Sequence, residues 1–372
     1  MKGRAMWHVL GQNLGAQVAV LALARAAPAQ DLRWTACEGE RALMRDPTRI
    51  LALSPHSVQC LADWGVRLTG LTPIRAMQIA SRSEGGGLRL EGAPAAPLAF
   101  TLALDALRDA VAAALTRAGR AVAPASSAPL PRPQLVFLAA RAAWRQSGAA
   151  PPRRRAFRQH ALSALIAHEQ AHGGAARQVF LRRGPLALLP LPQRQSALIW
   201  TLPSKEAHAL ANAPAHQFEA LLRERSGDAL GRLELASARQ LTELVHYQAL
   251  GPLRLPHLPF GAAAQLVHPL AGLGFNLTVR DVAGMADCAV RARDLGLPPA
   301  SPSLWETWWR TRRADAALVG GLTGGLNRIF AARGALRPLA GLGLALLGAA
   351  RAEPRAARWQ APMLAYANRG LA

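Results

Sequence analysis

Lysine is nearly absent from this sequence of 372 residues, which contains only Lys2 and Lys205 although its formal net charge is +22. Arginine carries the rest of the positive charge, a bias that indicates a GC-rich genome. A basic chain can bind nucleic acid or anionic lipid. However, no nucleic-acid motif is present, and the longest basic run, 153–155, is short. We therefore interpret the arginines as a solvated basic surface and expect no nucleic-acid partner.

Cysteines and long apolar runs are scarce as well. The three cysteines, Cys37, Cys60 and Cys288, lack the spacing of a metal site and cannot all pair with one another. No stretch reaches the ~18 uninterrupted apolar residues of a membrane span. The sequence therefore favours a reduced, cytoplasmic protein. The apolar, glycine-rich segment 336–350 leaves two alternatives open: a helix packed on the protein, or peripheral contact with the inner face of a membrane.

Three histidines, His160, His168 and His172, lie close together in the sequence and raise the question of a metal site. Their spacing is not accompanied by the glutamate of an H-E-x-x-H arrangement, so the metal signal is weak. We expect no metal ligands and interpret these residues as exposed histidines in strands and loops. The sequence also offers no side-chain nucleophile with a partner base, so no catalytic side chain is assigned.

The N-terminal region follows the layout of a dinucleotide-binding unit. An apolar run at 5–10 predicts a buried parallel strand, the Ala- and Leu-rich stretch 14–26 predicts a helix, and 32–37 predicts a second strand that ends at Glu38. In such a unit the acidic residue after the second strand accepts hydrogen bonds from a ribose. Glu38 is therefore the candidate ribose ligand.

The turn between the first strand and the helix departs from the G-x-G-x-x-G pattern. If Gly15 is the last glycine of the pattern, Leu10 and Gln12 replace the first two, and Gly11 lies between them. A glutamine brings a Cβ atom and a long side chain into the space where the backbone should approach a diphosphate. The turn alone is a weak signal, and an ordinary βαβ start remains the alternative.

A second glycine-containing loop lies at 269–280. Gly272 and Gly274 allow positive φ and close backbone approach. Asn276 is expected to cap the helix that follows, whose apolar pattern begins at Leu277. Such a loop directs N–H groups and the positive end of a helix dipole toward an anionic or electron-rich planar group. The N1–C2=O edge of a reduced flavin is such a group.

The segment 268–277 (HPLAGLGFNL), continued by Arg-Asp-Val at 280–282, closely resembles the flavin-loop motif of the ubiquinone-biosynthesis hydroxylases. These are FAD-dependent aromatic monooxygenases with the p-hydroxybenzoate hydroxylase fold. The resemblance runs through most of the chain, and its other segments are 46–54, 184–191 with 199–201, and 304–330. On these motifs the chain is identified as a member of that family.

The resemblance implies an α/β fold. An FAD-binding Rossmann-like domain of the p-hydroxybenzoate hydroxylase type would be interleaved with a β-sheet substrate domain and followed by C-terminal helices. The implied boundaries are 1–73, 101–156 and 255–300 for the FAD-binding domain, 74–100 and 157–254 for the substrate domain, and 301–372 for the C-terminal helices. Within them the apolar run 135–138 predicts a strand, and the more polar stretch 212–248 is expected to be helical.

The resemblance also implies FAD as the cofactor and an external electron donor such as NAD(P)H. The backbone of 272–276 would hold the pyrimidine edge of the flavin, and Pro269 would lie near the ring face. Arg49 would reach the diphosphate, or else is a surface arginine. The substrate would be a prenylated phenol or quinol, with its tail in an apolar channel between 186–191 and the C-terminal helices. The implied cofactor-binding residues are Gly11, Gly15, Glu38, Arg49, Pro269, Gly272, Leu273, Gly274, Phe275 and Asn276.

Three parts of the FAD signature are altered in this chain. Besides the first turn, Ala140-Arg141 stands where the family has Asp-Gly, and Ala262 stands where it has a flavin-binding aspartate. Losing one charged acceptor for a buried hydroxyl costs about 1.5–3 kcal/mol, or roughly ten- to hundredfold in affinity. Two hypotheses remain open. The chain is either an FAD-dependent ring hydroxylase, or a flavin-deficient, non-catalytic relative that scaffolds a quinone-biosynthesis complex.

Overall fold

The computed structural model describes residues 6–38, 40, 44–81, 87–92, 96–123, 133–148, 150–249, 251–266 and 273–331. The strands are β1 (Met6–Leu10), β2 (Asp31–Thr35), β3 (Ile50–Leu53), β4 (Thr72–Ile74), β5 (Ala76–Ser81), β6 (Gly87–Glu91), β7 (Ala99–Ala103), β8 (Leu135–Leu138), β9 (Arg155–His168), β10 (Ala175–Leu181), β11 (Gly184–Leu191), β12 (Gln195–Pro203), β13 (Leu233–Leu235), β14 (Gln240–Gln248), β15 (His257–Pro259) and β16 (Gln265–Leu266). The helices are α1 (Leu14–Ala26), α2 (Pro55–Asp63), α3 (Leu104–Arg117), α4 (Arg141–Gln146), α5 (Ser204–Asn212), α6 (Ala215–Ser226), α7 (Leu273–Asp294) and α8 (Pro302–Ala331). Short 3-10 helices lie at Asp228–Leu230 and Gly261–Ala263.

Four parallel strands form the sheet from which the N-terminal turn emerges. Their order is β15-β8-β1-β2. Every residue of β1 is buried, as expected for a parallel strand that is covered on both faces. In β8 the side chains alternate between two cores, so that Phe137 joins the main core and Leu138 joins a smaller one. Ligands of open α/β sheets bind beyond the carboxyl ends of such strands, which places the first turn at a binding edge.

A second, nine-stranded sheet is mostly antiparallel. Its order is β16-β14-β9-β12-β11-β10-β5-β6, and β13 pairs with β9 outside this path. Strands β3 and β4 pair instead with β7, on either side of it, in a separate three-stranded sheet. The two larger sheets are therefore assembled from alternating stretches of the chain, which is the interleaved α/β arrangement expected from the sequence.

The main core lies between the four-stranded sheet and the helices. Helix α1 packs against α7, which in turn packs against α8. Trp7 of β1, Phe137 of β8 and Trp305 of α8 meet edge to face, with ring centroids 5.6 Å apart for Trp7 and Phe137 and 5.7 Å apart for Phe137 and Trp305. Each such pair contributes about 0.5–1.5 kcal/mol beyond its buried area. The aromatic rings thus fix the start of α8 against the sheet.

Helix α8 is amphipathic over its first turns. Trp305, Trp308 and Trp309 are buried, whereas Glu306 and Arg310 are exposed. Among the residues that the structure describes, no helix combines the length and the hydropathy needed to cross a membrane.

Local predictions of secondary structure succeeded near the N-terminus and failed in one polar region. The predicted helix 14–26 and strand 135–138 are α1 and β8, with the predicted bounds. The expectation of a helical segment at 212–248 is wrong beyond α6. The end of this segment is β14, which pairs with β9 and has a bulge between Glu243 and Val245. Most of β14 is only half-buried, so its polar residues conceal the strand pattern.

The expectation that the three neighbouring histidines are exposed is also wrong in part. His168 is buried, and its ring contacts the Gln170 carbonyl oxygen at 2.7 Å and the Ser196 hydroxyl at 3.2 Å. His172 donates from Nε2 to the Leu191 carbonyl oxygen at 2.7 Å. These rings hold the strand connections of the second sheet.

Candidate functional site

The turn that follows β1 requires glycine at position 11. Gly11 has a φ of +122°, and a Cβ atom there would lie 3.2 Å from the Ala140 Cβ and 3.3 Å from the Ala139 Cβ. Its N–H donates to the Thr35 carbonyl oxygen at 2.9 Å, and its own carbonyl oxygen accepts from Trp34 Nε1 at 2.7 Å. Gly11 thus turns the chain sharply at the binding edge of the sheet.

Helix α1 begins beside α7. Asn13 is its N-cap, and the Asn13 Oδ1 accepts from the Ala16 N–H at 3.0 Å. The Asn13 Nδ2 donates to the Ala139 carbonyl oxygen at 2.9 Å, which ties the cap to the end of β8. A Cβ atom on Gly15 would lie 3.1 Å from the Thr278 Cγ2, so the small residue permits close approach of the two helices.

The carboxylate of Glu40 occupies the backbone amides at this helix start. Its oxygens accept from the Gln12 N–H at 2.8 Å and from the Asn13 N–H at 3.0 Å. The Gln12 side chain completes the contact, because its Nε2 donates to the Glu40 carbonyl oxygen at 3.2 Å. The first turn of α1 contains no acidic residue of its own. Glu40 therefore supplies the negative charge that a helix N-terminus favours.

Glu38 and Arg49 are the two predicted cofactor ligands with charged side chains. Glu38 is exposed in the turn after β2, so its predicted contact with a ribose stays a prediction. Arg49 places its Nε 3.5 Å from the Asp46 carboxylate and its Nη2 3.4 Å from the Thr242 hydroxyl of β14. Its predicted contact with a diphosphate also stays a prediction.

The segment that replaces the family's Asp-Gly carries no acidic side chain. Ala139 and Ala140 are buried. The Arg141 guanidinium lies 5.9 Å from the centre of the Tyr247 ring, and its Nη2 donates to the Pro152 carbonyl oxygen at 3.3 Å. Arg141, the first residue of α4, therefore contacts β14 of the nine-stranded sheet.

The segment 261–264 has one buried side and one exposed side. Gly261 has a φ of +50°, and a Cβ atom there would lie 2.8 Å from the Thr278 Cγ2. Its N–H donates to the Asp281 carboxylate at 2.9 Å. The next residue, Ala262, is exposed, although its carbonyl oxygen accepts from the Tyr247 hydroxyl. The methyl group of Ala262 offers no acceptor to a cofactor hydroxyl.

The predicted flavin loop lies largely outside the described residues. Pro269 and Gly272 are among the residues that the structure leaves undescribed, and α7 begins at Leu273. Gly274 is exposed and Phe275 is half-buried in the first turn of this helix.

Asn276 does not cap α7, contrary to expectation, because it lies inside the helix. Its buried side chain reaches the end of β3 instead. The Asn276 Oδ1 accepts from the Ser54 N–H at 2.9 Å, and its Nδ2 donates to the Ala52 carbonyl oxygen at 2.7 Å. Asn276 thus cross-links α7 to the chain between β3 and α2.

A buried network of charges fixes α7 against α8. The Asp281 carboxylate, which holds the Gly261 amide, also accepts from Arg312 Nε at 3.1 Å. Arg312 pairs further with Asp315, and the Arg280 Nη1 lies 3.4 Å from the same Asp315 carboxylate. Burial raises the pKa of Asp281, against the opposing effect of Arg312. The network therefore links the segment 261–264 to both helices.

A bound dinucleotide requires free backbone N–H groups for its diphosphate at the first turn. In folds of this layout the diphosphate binds the backbone amides at the start of the first helix. Two of those amides already bind the Glu40 carboxylate, so a phosphate there would lie against a like charge. A diphosphate can therefore bind these two amides only after the Glu40 carboxylate has left them.

Known sequences match part of this chain. No family model matches it. A ubiquinone hydroxylase, UbiL of Rhodospirillum rubrum, is 37% identical over 185 residues, which are 47% of this chain and 41% of the relative. A 3-demethoxyubiquinol 3-hydroxylase of Escherichia coli is 32% identical over 163 residues, which are 42% of this chain and 41% of the relative. Over less than half of its length, the chain is thus similar in sequence to ubiquinone-biosynthesis hydroxylases. The matches span about two fifths of the length of these relatives.

The fold is shared over the whole chain. Klebsiella pneumoniae HpxO, solved in complex with FAD and uric acid, superposes with a TM-score of 0.71 at 15% identity and covers 100% of this chain and 98% of its own. At this identity the likeness establishes the fold alone. The predicted fold class, an interleaved α/β fold of the FAD-monooxygenase type, is thereby confirmed.

The role of Glu40 was not predicted from the sequence. A signal for it exists, because the first turn of α1 lacks an acidic residue while two glutamates, Glu38 and Glu40, follow β2. A helix N-terminus next to such carboxylates predicts a charge contact. The choice between the two glutamates depends on the loop geometry, which the sequence pattern does not give.

Proposed function

We propose that this protein is an FAD-dependent monooxygenase that hydroxylates the aromatic ring of a prenylated ubiquinone precursor. The names of the two sequence relatives support this proposal. The observation that carries it is the close approach of Gly15 to Thr278. This contact places the start of α1 beside α7, the helix whose first residues belong to the flavin-loop motif.

The proposed cofactor contacts follow the same geometry. Gly11 shapes the turn at the binding edge of the sheet, and Glu38, which is exposed after β2, is the proposed acceptor for a ribose hydroxyl. Arg49 and the backbone of 269–276 complete the proposed set. Electrons would come from an external donor such as NAD(P)H.

The substrate proposed for this site is a prenylated phenol or quinol. Helix α8 contacts strands β10 and β11. Strand β11 is almost entirely apolar, and seven of its eight residues are buried. The proposed channel for the prenyl tail runs between this strand and α8.

The partners and location of the protein belong to the same proposal. A prenylated substrate favours peripheral contact with the inner face of a membrane and membership of a quinone-biosynthesis complex. The formal net charge of +22 suits an anionic lipid surface.

A second candidate function is favoured by the position of Glu40. A protein whose phosphate-binding amides hold an internal carboxylate is suited to a flavin-free role. That role would be a non-catalytic scaffold for a partner hydroxylase or a quinone-biosynthesis complex.

Visible absorption spectra of the purified full-length protein, recorded with and without added FAD, separate these functions. The enzyme hypothesis predicts flavin bands that co-elute with the protein in stoichiometric amount after FAD is added. It also predicts NAD(P)H oxidation that depends on a prenylated phenol and yields a hydroxylated product. A folded protein that stays colourless and retains no added FAD would rule out the enzyme and support the scaffold.

A further inference from the structure

Glu40 and Gln12 form a clasp that closes the first turn from inside the protein. The Glu40 carboxylate accepts from the amides of Gln12 and Asn13 at 2.8 and 3.0 Å. The Gln12 side chain holds the Glu40 backbone from the other side at 3.2 Å. A glycine at position 12 would keep the backbone donor to the Glu40 carboxylate but would lose the side-chain donor to the Glu40 backbone.

A carboxylate and a phosphate require the same donors. Each is an anionic acceptor, and hydrogen bonds to charged groups are about twice as strong as those between neutral groups. A diphosphate that binds these amides must therefore first displace Glu40 and then lie near its negative charge. A flavin that lacks phosphate does not meet this competition.

We propose that Glu40 determines cofactor specificity at this site by competing with the cofactor's diphosphate for the amides of Gln12 and Asn13. The inference rests on the proposed function only in its choice of FAD as the natural ligand. Wild-type protein then binds phosphorylated flavins more weakly than these amides alone would allow, and loss of the Glu40 charge tightens their binding.

The experiment compares ligand binding by the full-length wild type, Glu40→Gln and Glu40→Ala. The ligands are FAD and riboflavin, followed by fluorescence, and ADP, followed by calorimetry. The matched control is Glu38→Gln, which removes the neighbouring exposed carboxylate without touching the two amides. Circular dichroism and the melting temperature of each variant establish that it is folded.

The expected result is a gain that is selective for phosphate. Both Glu40 variants should bind FAD and ADP at least about tenfold more tightly than the wild type, which is the change produced by one charged hydrogen bond. Their affinity for riboflavin should stay within about twofold of the wild type. Glu38→Gln should give no gain in affinity for FAD or ADP, because it leaves the Glu40 carboxylate on the two amides.

The failure of this inference and of the proposed function can be told apart. If FAD binds the wild type and both folded Glu40 variants with equal, measurable affinity and ADP shows no gain either, the inference is overturned while the flavoenzyme stays intact. A selective gain for ADP without flavin binding in any variant would support the role of Glu40 and remove the flavoenzyme. No gain for FAD or ADP in a folded Glu40 variant overturns the inference directly.

Discussion

The buried and exposed sides of the first turn differ in what they retain. On the buried side, Gly15 and Gly261 both approach the Thr278 methyl group, and Asp281 holds the Gly261 amide. On the other side, which we call the exposed side, half-buried Gln12 stands where the family pattern has glycine, and exposed Ala262 stands where it has an acidic ligand. The residues that bring α1, α7 and the segment 261–264 together are present, whereas the residues that would meet a cofactor have changed.

This contrast separates the requirements of the fold from those of the ligand. A methyl group added on the buried side would crowd the Thr278 side chain, more closely at Gly261 than at Gly15, so packing alone favours glycine there. A side chain on the exposed side meets solvent or Glu40, so its replacement costs the fold little. The fold of a flavoprotein can therefore persist in a chain whose residues at the cofactor-binding positions have changed.

The largest effect should come from the charge network that supports the buried side. Asp315 is fully buried and pairs with Arg280 and Arg312. Asp315→Asn leaves excess positive charge in the interior, which should lower the free energy of unfolding by about 3–5 kcal/mol. Urea unfolding followed by tryptophan fluorescence measures this change. Asp228→Asn, which breaks the exposed pair with Arg223, is the matched control and should have little effect.

A similar cost in these two variants would mean that the network does not support the helices. The buried side of the turn would then owe its geometry to apolar packing alone.

The pH dependence of stability tests the interior of β1, two residues before the altered turn. Burial and, to a smaller extent, Arg33 lower the pKa of His8 to about 4, from 6.5. Between these pH values the unfolded chain binds a proton that the folded protein does not, so stability falls as the pH drops. The loss should reach about 3 kcal/mol near pH 4. His8→Gln, which cannot titrate, should remove this part of the acid sensitivity.

Unfolding free energies measured from pH 7 to pH 4 for both proteins give the comparison. Parallel curves for the wild type and His8→Gln would show that His8 is not held neutral by the fold.

Gly261 and Ala262 are adjacent in sequence but lie on the buried and the exposed side, so substitutions at each test the difference between the two sides. The substitution at Gly261 should have the larger effect. Gly261→Ala introduces a Cβ atom 2.8 Å from the Thr278 Cγ2 at a φ of +50°. Overpacking and the left-handed backbone should together cost about 2–3 kcal/mol of unfolding free energy. Thr278→Ser removes that methyl group, so the double variant should regain a large part of the loss. Thermal and urea unfolding of the single and double variants measure this coupling.

Gly274→Ala serves as the control, because a Cβ atom there would meet nothing within 4 Å. It should be neutral or stabilising, as expected for alanine in a helix. An equal loss at Gly261 and Gly274 would place both glycines in the same environment, contrary to the structure.

The sequence predicted those parts of the fold that depend on local patterns. Helix α1 and strand β8 have the predicted bounds because an apolar run and an N-cap are adjacent in sequence. It did not predict the contact of Glu40 with the turn, because that contact spans 28 residues of chain. The same reason explains why Asn276 was expected to cap α7, since its partners Ala52 and Ser54 lie more than 200 residues away in sequence.

The smallest expected effect lies on the exposed side and is a gain in affinity. Ala262 is exposed, so Ala262→Asp should change the free energy of unfolding by less than about 0.5 kcal/mol. Combined with Gln12→Gly, which removes the side-chain donor to the Glu40 backbone, it should tighten FAD binding by about tenfold. Fluorescence titration of the double variant with FAD measures this gain. Unchanged affinity in a folded double variant would contradict the alignment of these two positions with the family's cofactor ligands. Positions 12 and 262 would then not correspond to the family's cofactor-binding positions. The difference between the exposed and the buried side would reflect packing requirements alone.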